Sequence, residues 1–198
     1  DGLDLNATFT GPSGAQTVNG FYDGTTWRVR FAPDQPGVWS FSVSATDPSG
    51  TGTWTGGSFV CDESGAAGFV KINGRYLQFS NGQTFFPVGH NIGWRDNVEH
   101  PDFDSMQARG ENFLSFWLAQ PWAAGGSPRA AMENLTSGVG TYDQAPCQFL
   151  DGLVQRAEMA GVYLMPTLWS HAQLRDPFHT WSGPTDGSNN WWYNNPYK

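Results

Sequence analysis

The chain has 198 residues, enough for one or two domains at roughly 100 to 200 residues each. Its 10 Lys and Arg against 18 Asp and Glu give a net charge of −8, with no basic cluster to neutralise phosphates, so nucleic acid is not an expected partner. No segment approaches the roughly 20 apolar residues of a membrane span, and nothing at the start reads as a signal peptide.

Up to about Ser64 the chain is rich in Gly, Thr, Ser and aromatics and shows only short alternating segments, whereas helical patterns begin after Asp102. A β module therefore precedes an α/β module. Leu3 to Phe9 alternates apolar and polar positions and Gly11-Pro12-Ser13-Gly14 breaks it, which predicts a strand and its turn. Trp27, Val29 and Phe31 alternate with Arg28 and Arg30 before Pro33, and VWSFSVS resumes the alternation, so the two runs are expected to pair as an antiparallel hairpin. Thr51 to Gly57 reads as a Gly- and Thr-rich loop around Trp54, and Ser58 to Cys61 as a last short strand. No GK[ST] follows that loop, so it is not a phosphate loop.

A second hairpin is expected from Phe69, with FVKI and RYLQF joined at Asn73-Gly74, the signature of a type I′ turn. Thr84 to Val88 is expected to open the α/β module as its first strand, carrying Gly89-His90-Asn91 and Trp94-Arg95-Asp96 at its C-terminal end. A short helix from about Phe103 to Arg109, closed by Gly110, leads to the continuously apolar run Asn112 to Leu118, as expected of a parallel strand covered on both faces. Between Ala145 and Gly161 the residues Phe149, Leu150, Leu153, Val154 and Ala157 recur at helical spacing, and Gly161 stands where a glycine cap falls. Val162 to Leu168 is the third strand, delivering Trp169 and His171 to its C-terminal end.

Cys61 and Cys147 fall in different modules and make neither a CxxC site nor a disulfide framework; they form one bridge or remain two thiols. His90, His100, His171 and His179 make no HExxH and no close acidic pairing, so no metal is expected. Trp94, Trp117, Trp122 and Trp169 fall at or just beyond expected strand ends, and Trp181, Trp191, Trp192 and Tyr193 crowd the final loop. Aromatic faces with a polar handle suit the stacking of sugar rings. Trp117, inside an apolar strand, fits a core as well as a cleft, while Trp27, Trp39 and Phe41 fit core packing in the β module.

The segments GFYDG (Gly20 to Gly24), WRVRFAP (Trp27 to Pro33) and PGVWSF (Pro36 to Phe41) together resemble the Ig-like β-sandwich called DUF5060, a module that precedes glycoside hydrolase barrels. FFPVGHNIGW, RGENFLSFW, AEMAGVYLMPTLWSH and the terminal NNPYK resemble the first half of a clan A, cellulase-like barrel. The resemblance implies a multi-domain chain: a β-sandwich over residues 1–64, and an incomplete (β/α)₈ TIM barrel of three β/α units over residues 69–198. A closed barrel needs about 250 residues. Asp1 and Lys198 both look like cut ends, the first truncating the sandwich.

What the resemblance implies about function is a secreted or periplasmic glycoside hydrolase acting on β-linked polysaccharide by retaining, carboxylate-based hydrolysis, with no cofactor. That chemistry needs two carboxyl groups about 5 to 5.5 Å apart. The family's acid/base Glu and nucleophile Glu lie on strands this chain does not contain, so it carries no catalytic residue of that kind and is expected to be inactive alone. Asp96 and Asp176 lie past the first and third expected strands, but loop carboxylates are usually solvated. Expected substrate contacts are Asn91, Trp94, Trp122, Trp169, His171, Trp191 and Trp192, with His171 able to donate and accept one hydrogen bond when neutral. Ser115 stands where the family usually carries an Arg beside the nucleophile, which leaves a second reading: a non-catalytic carbohydrate-binding or adhesion protein with a degenerate barrel.

Overall fold

A computed structural model of the chain describes residues 2–92, 102–118, 132 and 141–167. The chain divides into two compact units, Asp1–Thr84 and Phe85–Lys198.

The first unit is built on a four-stranded antiparallel sheet in the order β2-β1-β5-β6, from β1 (Asp4–Gly11), β2 (Gly14–Asn19), β5 (Gly37–Asp47) and β6 (Gly50–Cys61). Alternation decides what each face carries. On the inner face Ala7, Phe9 and Trp39 are buried, with Val18, Phe41, Val43, Phe59 and Cys61 packed around them and Val29 and Phe31 against them. Phe31 stacks on Phe9 at 3.9 Å between ring centroids and meets Trp39 edge-on at 5.1 Å. The indole N–H of Trp39 donates to the Gln35 carbonyl at 3.1 Å, so the largest buried side chain of the unit leaves no polar atom unpaired. The arrangement is β-sandwich-like: one full sheet, with the chain between residues 20 and 36 laid over its apolar face.

The outer face of the same sheet is different in kind. One cross-strand row reads Thr17, Thr8, Ser42, Thr55, and the next reads Asn19, Asn6, Ser44, Thr53. The Thr10, Ser40, Ser58 row and the Thr46, Thr51 pair flank them. Hydroxyls couple across the ladder, Thr8 with Thr17 and Thr46 with Thr51, each at 2.9 Å.

Two sequence expectations fail here. The run WRVRF does not pair with VWSFSVS: only Trp27–Arg28 forms a strand, β4, and it pairs with β3 (Phe21–Tyr22), while β5 takes β1 and β6 as neighbours. The reason is local, because Asp23 folds the intervening loop. Its carboxylate accepts from the Thr25 and Thr26 backbone N–H groups at 2.9 and 2.8 Å and from the Thr25 hydroxyl at 2.8 Å, and it pairs with the Arg28 guanidinium. The expected Thr51 to Gly57 loop is instead the body of β6, the longest described strand, which pairs Gly52 with Ala45 and Gly57 with Phe41 and leaves Gly56 in a bulge opposite Phe41 and Ser42.

A second antiparallel sheet follows in the order β7-β8-β9, from β7 (Val70–Asn73), β8 (Tyr76–Phe79) and β9 (Thr84–Phe85). Asn73 pairs with Tyr76, so the turn residues are Gly74 and Arg75 and not Asn73 and Gly74. Only Gly74 has positive φ, at 62°, which matches a II′ connection, glycine first, and not the I′ turn expected.

In the second unit, β10 (Gly89–Ile92), β11 (Phe113–Trp117) and β12 (Tyr163–Thr167) form a parallel sheet in that order, with α1 (Phe103–Ala108) and α2 (Gln144–Met159) between the strands. Both helices start at an aspartate, Asp102 and Asp143, whose carboxylates accept from Ser105 N–H at 3.0 Å and Ala145 N–H at 3.2 Å. Both end in a Schellman motif; after α2, Gly161 at φ 69° donates to Glu158 and Val162 donates to Ala157.

The expected half barrel is corrected by this architecture. The described residues are chiefly antiparallel sheet, with three parallel strands, one helix of 16 residues and one of 6, so the helices of a TIM barrel are not formed among them. The TFFPV run, expected as the first barrel strand, gives its first two residues to the antiparallel sheet instead. Pro87 then interrupts the run, since proline has no N–H for a ladder, and parallel pairing begins only at Gly89.

Candidate functional site in the parallel sheet

The two faces of the parallel sheet follow from register. Leu114 and Phe116 of β11 are buried, and Ile92 and Leu164 in the neighbouring strands pack with them. Phe103 and Met106 of α1 and Leu153 and Ala157 of α2 complete this core. The alternate positions therefore point to the face away from the helices: Asn91, Ser115 and Met165 in one register row, then Trp117 and Thr167.

Several devices hold that row in place. Gly89 faces Phe113 so closely that a Cβ there would run into the Phe113 carbonyl, so glycine is required where β10 joins β11. The Asn112 side chain accepts from Val88 N–H at 2.8 Å and donates to the Phe86 carbonyl at 3.1 Å, replacing the ladder that Pro87 breaks. His90 Nδ1 meets Glu111 Oε2 at 2.8 Å. On the same face, Phe85 and Tyr163 rings lie 5.0 Å apart.

Asn91 is exposed, Met165 is half exposed, Trp117 and Thr167 are half-buried, and Ser115 between Asn91 and Met165 is only 6% exposed. An amide and two hydroxyls can both donate and accept. Among the described residues this face carries no carboxylate, and no group of His, Cys, Asp or Glu could hold a metal ion. The chemistry it offers is neutral hydrogen bonding beside an indole ring.

Of the expected substrate contacts, Asn91 takes its place on this face. Trp94, Trp122, Trp169, His171, Trp191 and Trp192 lie outside the described residues, as do Asp96 and Asp176. Thr167 and Met165 were not singled out by sequence, although counting every second residue from Tyr163 along β12 finds them. Cys61 and Cys147 are both free thiols. Burial pushes the Cys147 thiol up, and Asp143 and Asp151 add to the effect, so it is a poor nucleophile.

Residues 1–46 match the family Domain of unknown function (DUF5060). The DUF5060 segment takes in β1 to β4 and all of β5 but its last residue, and so includes the Asp23 turn and Trp39. The fold is similar to the crystal structure of a putative glycoside hydrolase from Bacteroides vulgatus ATCC 8482, with a TM-score of 0.60 and 22% sequence identity over 84% of this chain and 37% of that one. The chain thus spans well under two thirds of that protein's length. No curated protein matches the chain. Among the described residues, no helix is long and apolar enough to cross a membrane.

Proposed function

We propose that this chain is part of a glycoside hydrolase-related protein that acts on β-linked polysaccharide outside the cytoplasm. The observation that carries the reading is the shared fold with the Bacteroides vulgatus protein over most of this chain, behind a DUF5060 segment. The neutral face of the parallel sheet supports it chemically, because Asn91 and Thr167 offer the paired donors and acceptors that sugar hydroxyls need. In this reading Asn91 contacts substrate, with Trp94, Trp122, Trp169, His171, Trp191 and Trp192 supplying stacking faces and one imidazole. Hydrolysis proceeds with retention through two carboxyl groups about 5 to 5.5 Å apart, supplied by residues beyond this chain. The test is product analysis by proton NMR with the protein that carries this chain: a first-formed product of the substrate's own anomeric configuration supports the reading, and inversion removes the retaining mechanism.

A second reading is favoured by Ser115. A small buried hydroxyl stands where the resemblance places an arginine beside the nucleophile, which suits a protein that binds glycan without cleaving it. Glycan binding with no reducing ends released would select this alternative.

A further inference from the structure

Glycines stand at positions 50, 52, 56 and 57 of β6, and all but one have a local reason. Gly50 and Gly56 take positive φ, 143° at the hairpin turn and 109° at the bulge, and a Cβ on Gly57 would run into the Phe41 ring. Gly52 has neither reason: its φ is not positive, and a Cβ there would meet nothing within 4 Å. Glycine in the body of a strand weakens it and often marks a place where a ligand or another backbone comes close. Register sets Gly52 opposite Ala45 on the apolar face of the sheet, between the Trp54–Val43 and Gly50–Asp47 pairs. Trp54 closes one end of this bare strip. Its ring is 54% exposed, lies 5.5 Å from the Phe41 ring between centroids, and stands outside the core of Ala7, Phe9 and Trp39. The Trp39 N–H is bonded to Gln35, whereas the Trp54 N–H has no partner among the described residues. Asp47 closes the other end, roughly 13 Å along the strand at about 3.4 Å per residue. Its Oδ1 accepts from the Ser49 and Gly50 backbone N–H groups and the Ser49 hydroxyl, and its Oδ2 has no described partner.

We propose that the strip from Trp54 over Gly52 and Ala45 to Asp47 is a saccharide-binding site of the first unit, taking a β-linked chain of neutral pyranoses and separate from the parallel-sheet site. The proposal rests on the carbohydrate reading above, and the groups of the strip favour that occupant independently. The indole supplies the flat apolar surface that the C–H face of a pyranose needs, with a donor at its edge. The floor beside it supplies depth: with a hydrogen at Gly52 and a methyl at Ala45, a flat ring can lie against the indole where a branched side chain would hold it off. The open carboxylate oxygen accepts from a hydroxyl further along the chain, a charge-assisted bond stronger than one between neutral groups. A purely apolar partner would leave the carboxylate and the indole N–H unanswered. An anionic polymer would meet both the Asp47 charge and a net charge of −8. A neutral polyhydroxylated chain answers the ring, the donor and the acceptor together.

The test is affinity electrophoresis of the protein that carries this chain, in native gels with and without soluble β-glucan or β-mannan. Trp54→Ala removes the stacking face. Gly52→Val fills the floor at a position where the fold leaves room and a strand favours a β-branched residue. The expected result is retardation by at least one polymer, with the apparent Kd raised tenfold or more in both variants and the thermal midpoint of Gly52→Val not lowered. Where Trp54→Ala lowers the thermal midpoint, Gly52→Val alone decides. No retardation by either polymer, or retardation kept by a variant of unchanged thermal midpoint, overturns the proposal. A lowered thermal midpoint in Gly52→Val overturns it as well, by assigning the strip to packing against protein. Retardation lost in both variants supports the site even where the protein releases no reducing ends, an outcome that counts against hydrolysis alone.

Discussion

Asn91 of β10 and Ser115 of β11 face one another in register across a parallel ladder, the first exposed and the second 6% exposed. A polar pair on the face away from the helices, one member open to solvent and one enclosed, defines what this site tolerates. Ser115→Arg would drive a guanidinium into an enclosed position with no described carboxylate on that face. The expected cost is about 3–5 kcal/mol, that of an uncompensated buried charge, read as a shift in the denaturant midpoint at unchanged m-value. A variant as stable as the parent would show that a partner group for arginine is already present there.

Asn112 does with its side chain what Pro87 prevents the backbone from doing. Asn112→Asp keeps the acceptor for Val88 N–H but turns an oxygen toward the Phe86 carbonyl. The expected loss is about 1–3 kcal/mol, larger at pH 7 than at pH 3, where the acid can donate as the amide does. Equilibrium urea unfolding at the two pH values checks it.

Trp39 anchors the first unit through ring contact with Phe31, a hydrogen bond to Gln35 and a ring laid over Gly11. Trp39→Ala should cost about 3–5 kcal/mol, and Gly11→Ala should be destabilising as well, because the added methyl meets that ring. Thermal unfolding of both variants tests whether the indole or the sheet edge yields.

Acid should unfasten the turns of this protein before its cores. The Thr26 backbone N–H, then the Arg28 guanidinium and Thr25, hold the Asp23 carboxyl well below its ordinary range. The Ser49 hydroxyl does the same for Asp47, and the Ser105 hydroxyl for Asp102. Each folded value lies below the unfolded one, about 3.9, so the stabilisation is fully present above that pH and is lost as pH falls through the depressed values. The thermal midpoint should be flat above about pH 4 with respect to these groups and fall below it, and Asp23→Asn should shallow that fall.

The two helices and the last two parallel strands were legible in the sequence because their signals are local: helical spacing around Leu153, Gly110 and Gly161 as caps, and apolar runs 112–118 and 162–168. Pairing partners were not. WRVRF and VWSFSVS alternate equally well whether or not they pair, and the Asp23 turn that pairs Trp27–Arg28 with Phe21–Tyr22 instead depends on a carboxylate meeting backbone N–H groups, a contact no period reveals. TFFPV has the continuous apolar character of a buried parallel strand, but only Thr84 and Phe85 pair, in the antiparallel sheet, and beyond Pro87 the parallel sheet begins at Gly89. Asn91 was found because it ends an apolar run.

Glycoside hydrolysis by the protein that carries this chain is what we propose, and it can be tested by incubating that protein with soluble β-glucan and β-mannan and measuring new reducing ends over time. The expected result is time-dependent release that weakens in an Asn91→Ala variant of unchanged thermal midpoint. No release from either polymer above the rate without protein would contradict it.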